Sequence, residues 1–472
     1  MTPRFPANVE LAEQPSSFLG RFAFPLLAWG LVLHSLIIAA LFGWFGLPEQ
    51  AVRAIAAWKE VALVLLIILV MVRAATGHGP PTTIALTDLL VGGLMATAVF
   101  FLLAENLWLR YSVPRTAELL GIRDAVYFML LYFVGRAMPE LASSDRAMRT
   151  LFVVLVATCV IGIVERFFVG PEMLVALGVA SYFQEFLGVA SFTAGNDYGL
   201  PMNYWTMIGG QAFRRAGSVY LNGQGFAVPF LLFFPVATAW IFMRPRVSRA
   251  AIFAYVVILV GLLLTLTRMT IAIALIQLIL FVTLWRRPVW AVGGLAAAAA
   301  VLAVAFALIP GFPMFVWHTL TWQEGSSASH AEDWAQGLMA LAQRPWGWGL
   351  GTTDQTAVRA GLEPITGDNL YLKYGVELGL IALAFLVLLF IAIAKSALRT
   401  YRQGATHAER RMGIALFLAT VGIAINGITA VVFNSIALGW LFFWLAGAVV
   451  TVAERLPRTA KSPAPLELSP AI

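Results

Sequence analysis

Three ionisable residues stand at the edges of long apolar runs, where charge is costly unless it has a partner. Arg215 lies in Arg214-Arg215-Ala216-Gly217-Ser218-Val219-Tyr220-Leu221-Asn222-Gly223, which leads directly into an apolar stretch. Arg268 closes Thr265-Leu266-Thr267-Arg268, the one charged point in an apolar run over 250–285. Asp368 opens Asp368-Asn369-Leu370-Tyr371-Leu372-Lys373, with Glu377 one turn further on. Half-burying arginine in a membrane bundle is rarely done without an anionic partner. A guanidinium offers paired donors that fit carboxylate or phosphate oxygens, so two at one surface point to an anion. Plainer roles are also open. The arginines could snorkel to the interface or form structural ion pairs, and Asp368 could cap the following helix or pair with Lys373.

Other segments near these residues can be read. Ser329-His330-Ala331-Glu332 fits a helix capping box, and the helix should run to about Gln343 and stop before Pro345. Along it Trp334, Leu338 and Leu341 would share an apolar face lying on the bundle. The glycines of Arg344-Pro345-Trp346-Gly347-Trp348-Gly349-Leu350-Gly351 let the backbone turn tightly beside aromatic rings. Arg110, Arg115 and Arg123 with Glu118 and Asp124 form a charge cluster that could hold an anionic headgroup or anchor a span. His34 and His318 lie in or near apolar segments with no second ligand at metal spacing, His78 and His407 fall in loops expected to be cytoplasmic, and no phosphate loop, dinucleotide fingerprint or zinc motif appears. Cys159, the single cysteine, cannot form an internal disulfide and reads as a buried thiol.

The elements that must hold these residues are membrane helices. Of 472 residues 60% are hydrophobic and 12% charged, about half the charged share of a soluble domain. Mean hydropathy is +0.85. This excludes a cytosolic enzyme, a disordered scaffold and a disulfide-built secreted domain. The net charge of +7 is scattered in short clusters between apolar runs, which is an orientation signal and no nucleic-acid footprint.

The expected fold is all-α, a polytopic bundle of about twelve spans near 22–45, 51–72, 83–104, 119–138, 150–169, 219–242, 250–267, 269–285, 289–309, 373–394, 411–430 and 433–452. Read as one helix, 250–285 would be about 54 Å long against a hydrocarbon core of about 30 Å, so it should split with Thr267 and Arg268 at the tip. The dense positive loops carry Arg73, Arg146, Arg149, Arg244, Arg246, Arg249, Arg286, Arg287, Lys395, Arg399, Arg402, Arg410, Arg411 and Arg455. They should be cytoplasmic, together with the N-terminal segment 1–21 and the tail 453–472. The first span should be a retained helix. Spans one to nine fill 22–309 with an external loop at 170–218, and a second external loop domain at 310–372 precedes spans ten to twelve in 373–452. Long loops usually have a function, and both lie on the external face.

Four of these segments together resemble the O-antigen ligase and polysaccharide polymerase superfamily. Arg215 through Asn222 is similar to the family's arginine, Gly–Ser/Thr step and Asn-containing helix start. Leu264-Thr265-Leu266-Thr267-Arg268 resembles its Leu-Thr-x-Ser-Arg segment, and His330 through Gly351, with Trp334, its Trp and Pro-x-x-Gly-x-Gly loop. Asp368-Asn369-Leu370-Tyr371-Leu372 with Glu377, Gly379 and Leu380 resembles its His-Asn-x-Tyr-Leu and Glu-x-Gly-Leu segment, and Trp58-Lys59-Glu60 also has counterparts there. Two departures stand out. Asp368 replaces the histidine usual in ligases, which points toward the polymerase branch, and His330 replaces a loop-helix arginine.

The resemblance implies an inner-membrane glycosyltransferase, inverting and independent of metals or other cofactors. It would take an undecaprenyl-diphosphate-linked glycan from the membrane lipid to a sugar hydroxyl, on a glycan or on lipid A-core. Arg215 and Arg268 would bind the diphosphate, and Asp368, or second to it His330, would accept the hydroxyl proton. Asn369, Tyr371, Asn222, Glu377 and Trp334 would support them. The active site would face the periplasm of a bacterial inner membrane, with both termini cytoplasmic. The rival reading is a twelve-span transporter or lipid-linked-glycan flippase, against which stands the lack of a visible six-plus-six repeat.

Overall fold

A backbone in hydrocarbon has no water to bond, so the apolar runs satisfy their own polar groups as helices. The computed structural model describes residues 19–78, 83–108, 113–189, 198–208, 211–244, 246–285 and 325–457, with positions 313, 314, 317, 318, 321 and 323 between the last two stretches. The span expected at 289–309 and both terminal segments lie outside the described residues, apart from 19–21 and 453–457.

The first half holds α1 (Phe24–Ala39), α2 (Glu49–Ala56), α3 (Trp58–Arg73), α4 (Leu86–Trp108), α5 (Arg115–Ala125), α6 (Leu130–Arg136), α7 (Glu140–Ser143), α8 (Asp145–Phe168), α9 (Pro171–Ala176) and α10 (Val179–Ser181). A hairpin of β1 (Trp205–Ile208) and β2 (Gln211–Arg214) follows, the one departure from an all-helical chain among the described residues. Then come α11 (Gly223–Ala227), α12 (Phe230–Phe242), α13 (Arg249–Leu264), α14 (Arg268–Trp285), α15 (Gly325–Gln343), α16 (Asp354–Arg359), α17 (Leu370–Gln403), α18 (His407–Asn426) and α19 (Ile436–Arg455).

Eight described helical stretches are long and apolar enough to cross a membrane. This is a multi-pass membrane protein. The twelve expected spans are not all matched by such stretches. The stretch expected at 119–138 is α5 and α6 joined by a 3-10 turn at Tyr127–Met129, with an extended φ of −133° at Val126. The α13 helix has only 16 residues, and α18 carries Glu409, Arg410 and Arg411 in its first turns. The long run over 250–285 does split, at Thr265–Thr267.

Helix α19 is buried almost all round and forms the centre of the bundle. It meets α6 at backbone contact: a Cβ on Gly447 would lie 1.9 Å from the Tyr132 carbonyl oxygen, and one on Gly135 2.0 Å from that of Trp444. Such small-residue contacts hold membrane helices together where hydrophobic driving force is weak. Peripheral α3 exposes Val61, Leu65, Met71 and Val72, an apolar face suited to lipid.

The basic loops gather at one end. There Arg411 binds Asp145 at 2.7 Å, Ser143 donates to Glu409, Arg399 donates to the Leu456 carbonyl, and Tyr401 reaches the carbonyl of Leu284. Helices α14 and α18 run antiparallel, with Gln277 bonded to the Leu418 carbonyl and Ile273 and Gln277 packed on Gly422. Arg268 therefore sits level with the C-terminal end of α18. That same end holds the start of α17, where Leu370 N donates to the Gly427 carbonyl and Asn369 to that of Ile428. Arg268 and Asp368 thus share the end of the bundle opposite the basic loops.

Candidate functional site

The hairpin aims Arg215. Arg214 pairs with Trp205 in the sheet register, and the next amide, that of Arg215, donates to the Tyr204 carbonyl at 2.7 Å. Alternation then sends the two arginines apart. Arg214 donates to the carbonyls of Glu165, Arg166 and Val169, satisfying the open end of α8. Arg215 turns to the tip between α13 and α14, where its Nε donates to the Thr265 carbonyl at 2.9 Å and its terminal nitrogen to Thr267 Oγ1. The turn behind it is pinned by Glu165, whose carboxylate accepts from the amides of Gly217 and Ser218, each at 2.7 Å. Asn222 caps α11 by accepting from Gly225 N, and Gly223 leaves room for the arginine, since a Cβ there would lie 2.6 Å from Arg215 Nε.

Three of the four non-glycine residues with positive φ among the described residues belong to this tip: Ser218 (50°), Leu221 (62°) and Leu266 (49°). Left-handed backbone in side-chain-bearing residues costs on the order of 1–3 kcal/mol each and tends to gather at functional sites. Arg268 begins α14 beside them. Burial, and after it the positive charge of Arg268, pulls the Arg215 guanidinium down to about 10, which leaves it protonated near neutrality. The structure therefore brings Arg215 and Arg268 together, as two cations within each other's field.

Asp368 stands just ahead of α17, and it takes neither of its plainer roles. Asn369 is the cap, accepting from Leu372 N at 2.9 Å. Lys373 binds Asp354 at 2.7 Å and Glu377 at 3.3 Å, all three side chains at most 2% exposed. Glu377 also accepts from Thr353 at 2.6 Å, so it belongs to this buried trio. Asp368 instead lies within the electrostatic reach of His330, Asp354 and Asp333. Solvent reaches its outer side, while the protein that crowds the rest raises its carboxyl pKa; His330 opposes the rise, and Asp354 and Asp333 add to it. His330 Nδ1 is buried without a hydrogen-bond partner among the described residues.

Helix α15 differs from its sequence reading in two ways. It begins at Gly325, so Ser329 lies inside it and the capping box is not its start. Leu338 is 59% exposed; the packed face is Gly337, which meets Leu372 and Thr366, with Ala340 and Leu341 against Val376. Trp334 is half-buried one turn after His330. The Tyr371 hydroxyl donates to the Ala424 carbonyl and ties α17 to α18.

The glycine-rich loop enters a break in α17. Gly379 has φ 82° and ψ 176°, which interrupts the helix. The carbonyls of Val376 and Glu377 accept instead from the amides of Trp348 (2.7 Å) and Gly349 (3.0 Å), while Leu380 N donates to the Pro345 carbonyl. Arg344 lies over the Trp348 ring at 4.2 Å. The segment Leu370–Leu378 is thus a half-helix held by loop backbone.

The cluster around α5 is internally paired. Arg115 binds Glu118 at 2.5 Å, and Asp124 binds Arg123 at 2.9 Å and Arg359 at 3.5 Å, which favours anchoring over ligand binding; Arg110 lies outside the described residues. His34 accepts from the Trp58 indole at 3.1 Å. No group of three or more metal-binding side chains occurs among the described residues. The charges acting on Arg215 and on Asp368 come from within their own groups, so the end of the bundle holds two groupings: Arg215 with Arg268, and Asp368 with His330. Sequence reasoning missed Asp354, Glu165 and the hairpin; Gly209-Gly210 between two short apolar-containing runs was the signal for the last.

Residues 253–387 match the family model for O-Antigen ligase. The match spans α13, the tip, α14, α15 and the break in α17, and so includes Arg268, His330 and Asp368 but not Arg215. It supports the likeness to the O-antigen ligase and polymerase superfamily. No curated protein matches the chain in sequence.

Proposed function

We propose that the protein is an inverting, metal-independent glycosyltransferase of the bacterial inner membrane. It transfers an undecaprenyl-diphosphate-linked glycan to a sugar hydroxyl at the periplasmic face, with both termini cytoplasmic. The observation that carries this reading is the convergence of Arg215 and Arg268 at a strained helix tip, two cations whose mutual repulsion a diphosphate would relieve.

In the proposed reaction the acceptor oxygen attacks the anomeric carbon from the face opposite the diphosphate. The bond from that carbon to the diphosphate oxygen breaks, and the lipid diphosphate leaves with the electron pair. Arg215 and Arg268 neutralise the charge growing on it. The acceptor proton passes to Asp368, whose raised pKa makes its carboxylate a stronger base than an ordinary aspartate. The charge of His330 opposes the rise in that pKa. Asn369, Tyr371, Asn222, Glu377 and Trp334 support the two groupings. With Asp368 in the position of the ligase histidine, the acceptor is another glycan more readily than lipid A-core.

The test uses purified full-length protein in nanodiscs with the host's lipid-linked repeat unit as sole substrate. A ladder of longer lipid-linked glycans, lost in Arg268→Ala and Asp368→Asn, is expected. Transfer only after lipid A-core is added would make it a ligase. Silence with both acceptors would overturn the glycosyltransferase reading in favour of transport.

A further inference from the structure

At the opposite end of the bundle, where the basic loops gather, a cavity of about 570 Å³ opens between the start of α8 and the end of α12. Its walls include Arg146, Arg149, Arg244, Asp145, Trp240 and Phe152. Three cations thus meet one carboxylate there. That carboxylate is committed, because both Asp145 oxygens lie within 2.8 Å of an Arg411 nitrogen. Arg411 itself reaches to 5.7 Å from the Trp240 ring, which adds a fourth cation to the neighbourhood.

Arg244 makes no ion pair among the described residues and is held instead by Trp240: its guanidinium carbon lies 3.5 Å from the centroid of that ring. Stacking fixes the plane of the fork and leaves its edge donors directed away from the ring. Burial lowers the pKa of Arg244; Asp145 opposes this, and the charges of Arg411 and Arg149 add to it. An anion placed among these arginines would relieve that crowding.

Below the cations the wall becomes apolar. Phe152 and Val153 line the cavity, and Val153, Val160 and Val164 are exposed in turn along one face of α8. Spacings of seven and four residues keep that stripe in line, so it runs from the cavity along the membrane-facing side of the helix. Cations above an apolar track are the two halves of a phospholipid's chemistry.

We propose that this cavity binds the headgroup of an anionic phospholipid, with its phosphate between Arg149 and Arg244 and an acyl chain along the Val153–Val164 face of α8. The site is remote from Arg215 and Asp368, and it stands whether or not the glycosyltransferase reading holds. Binding there would join α8, α12 and α18 at the end where Arg411 already links two of them.

Native mass spectrometry of the full chain in detergent would test this, titrated separately with phosphatidylglycerol, phosphatidylcholine and inorganic phosphate. The expected result is one retained phosphatidylglycerol, weakened roughly 5-fold in Arg149→Gln or Arg244→Gln and about 25-fold in the double variant. Arg53→Gln, on an exposed residue at the other end, should bind like the parent. Both target arginines are exposed, so the single variants should fold, and thermal unfolding in phosphatidylcholine would verify it. Equal retention of phosphatidylcholine, or unchanged phosphatidylglycerol binding in the single and double variants, would overturn the proposal. Phosphate binding as tightly as the lipid would make this a soluble-anion site and also overturn it.

Discussion

Lys373 Nζ lies 2.7 Å from Asp354 Oδ2, with both side chains sealed from solvent. The pair joins α17 to α16, and Glu377 completes it from one turn along α17. Because Lys373 is committed there, the cation acting on Asp368 is His330. Asp354 itself holds a left-handed φ of 48°, so the ion pair and a strained backbone support each other.

Removing the cation would leave two buried carboxylates facing each other. Lys373→Met is expected to cost about 3–5 kcal/mol, the usual effect of breaking a buried pair by deleting one partner. Adding Asp354→Leu should recover part of the loss, since it removes one orphaned charge. Thermal unfolding of the single and double variants in one detergent would measure both; a single variant as stable as the parent would contradict the network.

Adjacent arginines should behave differently. Arg214 satisfies three carbonyls at the end of α8, so Arg214→Ala is expected to lower stability by about 1–3 kcal/mol. Among the described residues Arg215 bonds the neutral oxygens of Thr265 and Thr267, and its job in the proposed reaction is on the substrate. Arg215→Ala and Arg268→Ala should therefore keep the fold and lower transfer about a hundredfold, or about 3 kcal/mol in the barrier. Parallel turnover and unfolding measurements would separate the two residues.

The pH dependence of transfer carries a sign. A base must be ionised, so activity is present above its pKa and falls as pH drops through it. The pKa of Asp368 is raised, which puts the acid limb above the ordinary aspartate value of 3.8. His330 lowers it, so His330→Gln should move that limb to higher pH. A limb that stays in place would remove His330 from the electrostatics of Asp368.

The membrane character, the split at Thr265–Thr267 and the gathering of arginines at one end follow from patterns the sequence displays openly: apolar length and positive loops. Arg268 stood out as a candidate because it is a lone charge in an apolar run. Helix starts were less so. Serine and glutamate at 329 and 332 have the chemistry of a cap, yet tertiary packing of Gly337 and Leu341 on α17 lets the helix begin at Gly325. Long-range partners were out of reach. Nothing in the spacing of Asp354 and Lys373 announces their meeting, and Glu165 pins Gly217 from more than fifty residues away. The break at Gly379 was hidden because Glu-Leu-Gly-Leu reads as helix until the loop that replaces its hydrogen bonds is known.

That break offers a comparison between two glycines of positive φ. Gly379 (φ 82°) and Gly361 (φ 76°) both have positive φ, where alanine costs about 1–3 kcal/mol. Around Gly361 nothing lies within 4 Å of a new Cβ, whereas at Gly379 it would come 2.7 Å from the Trp346 carbonyl carbon. Gly361→Ala should therefore show the conformational cost alone. Gly379→Ala should add roughly 1–3 kcal/mol of overlap and push Pro345–Gly349 away from the carbonyls of Val376 and Glu377. The half-helix Leu370–Leu378 carries Lys373 and Glu377 and begins next to Asp368, so loosening its far end should disturb the acidic grouping as well. Thermal unfolding of both variants, with hydrogen exchange over 345–380, would reveal the difference. Equal losses would mean that the loop does not hold the break.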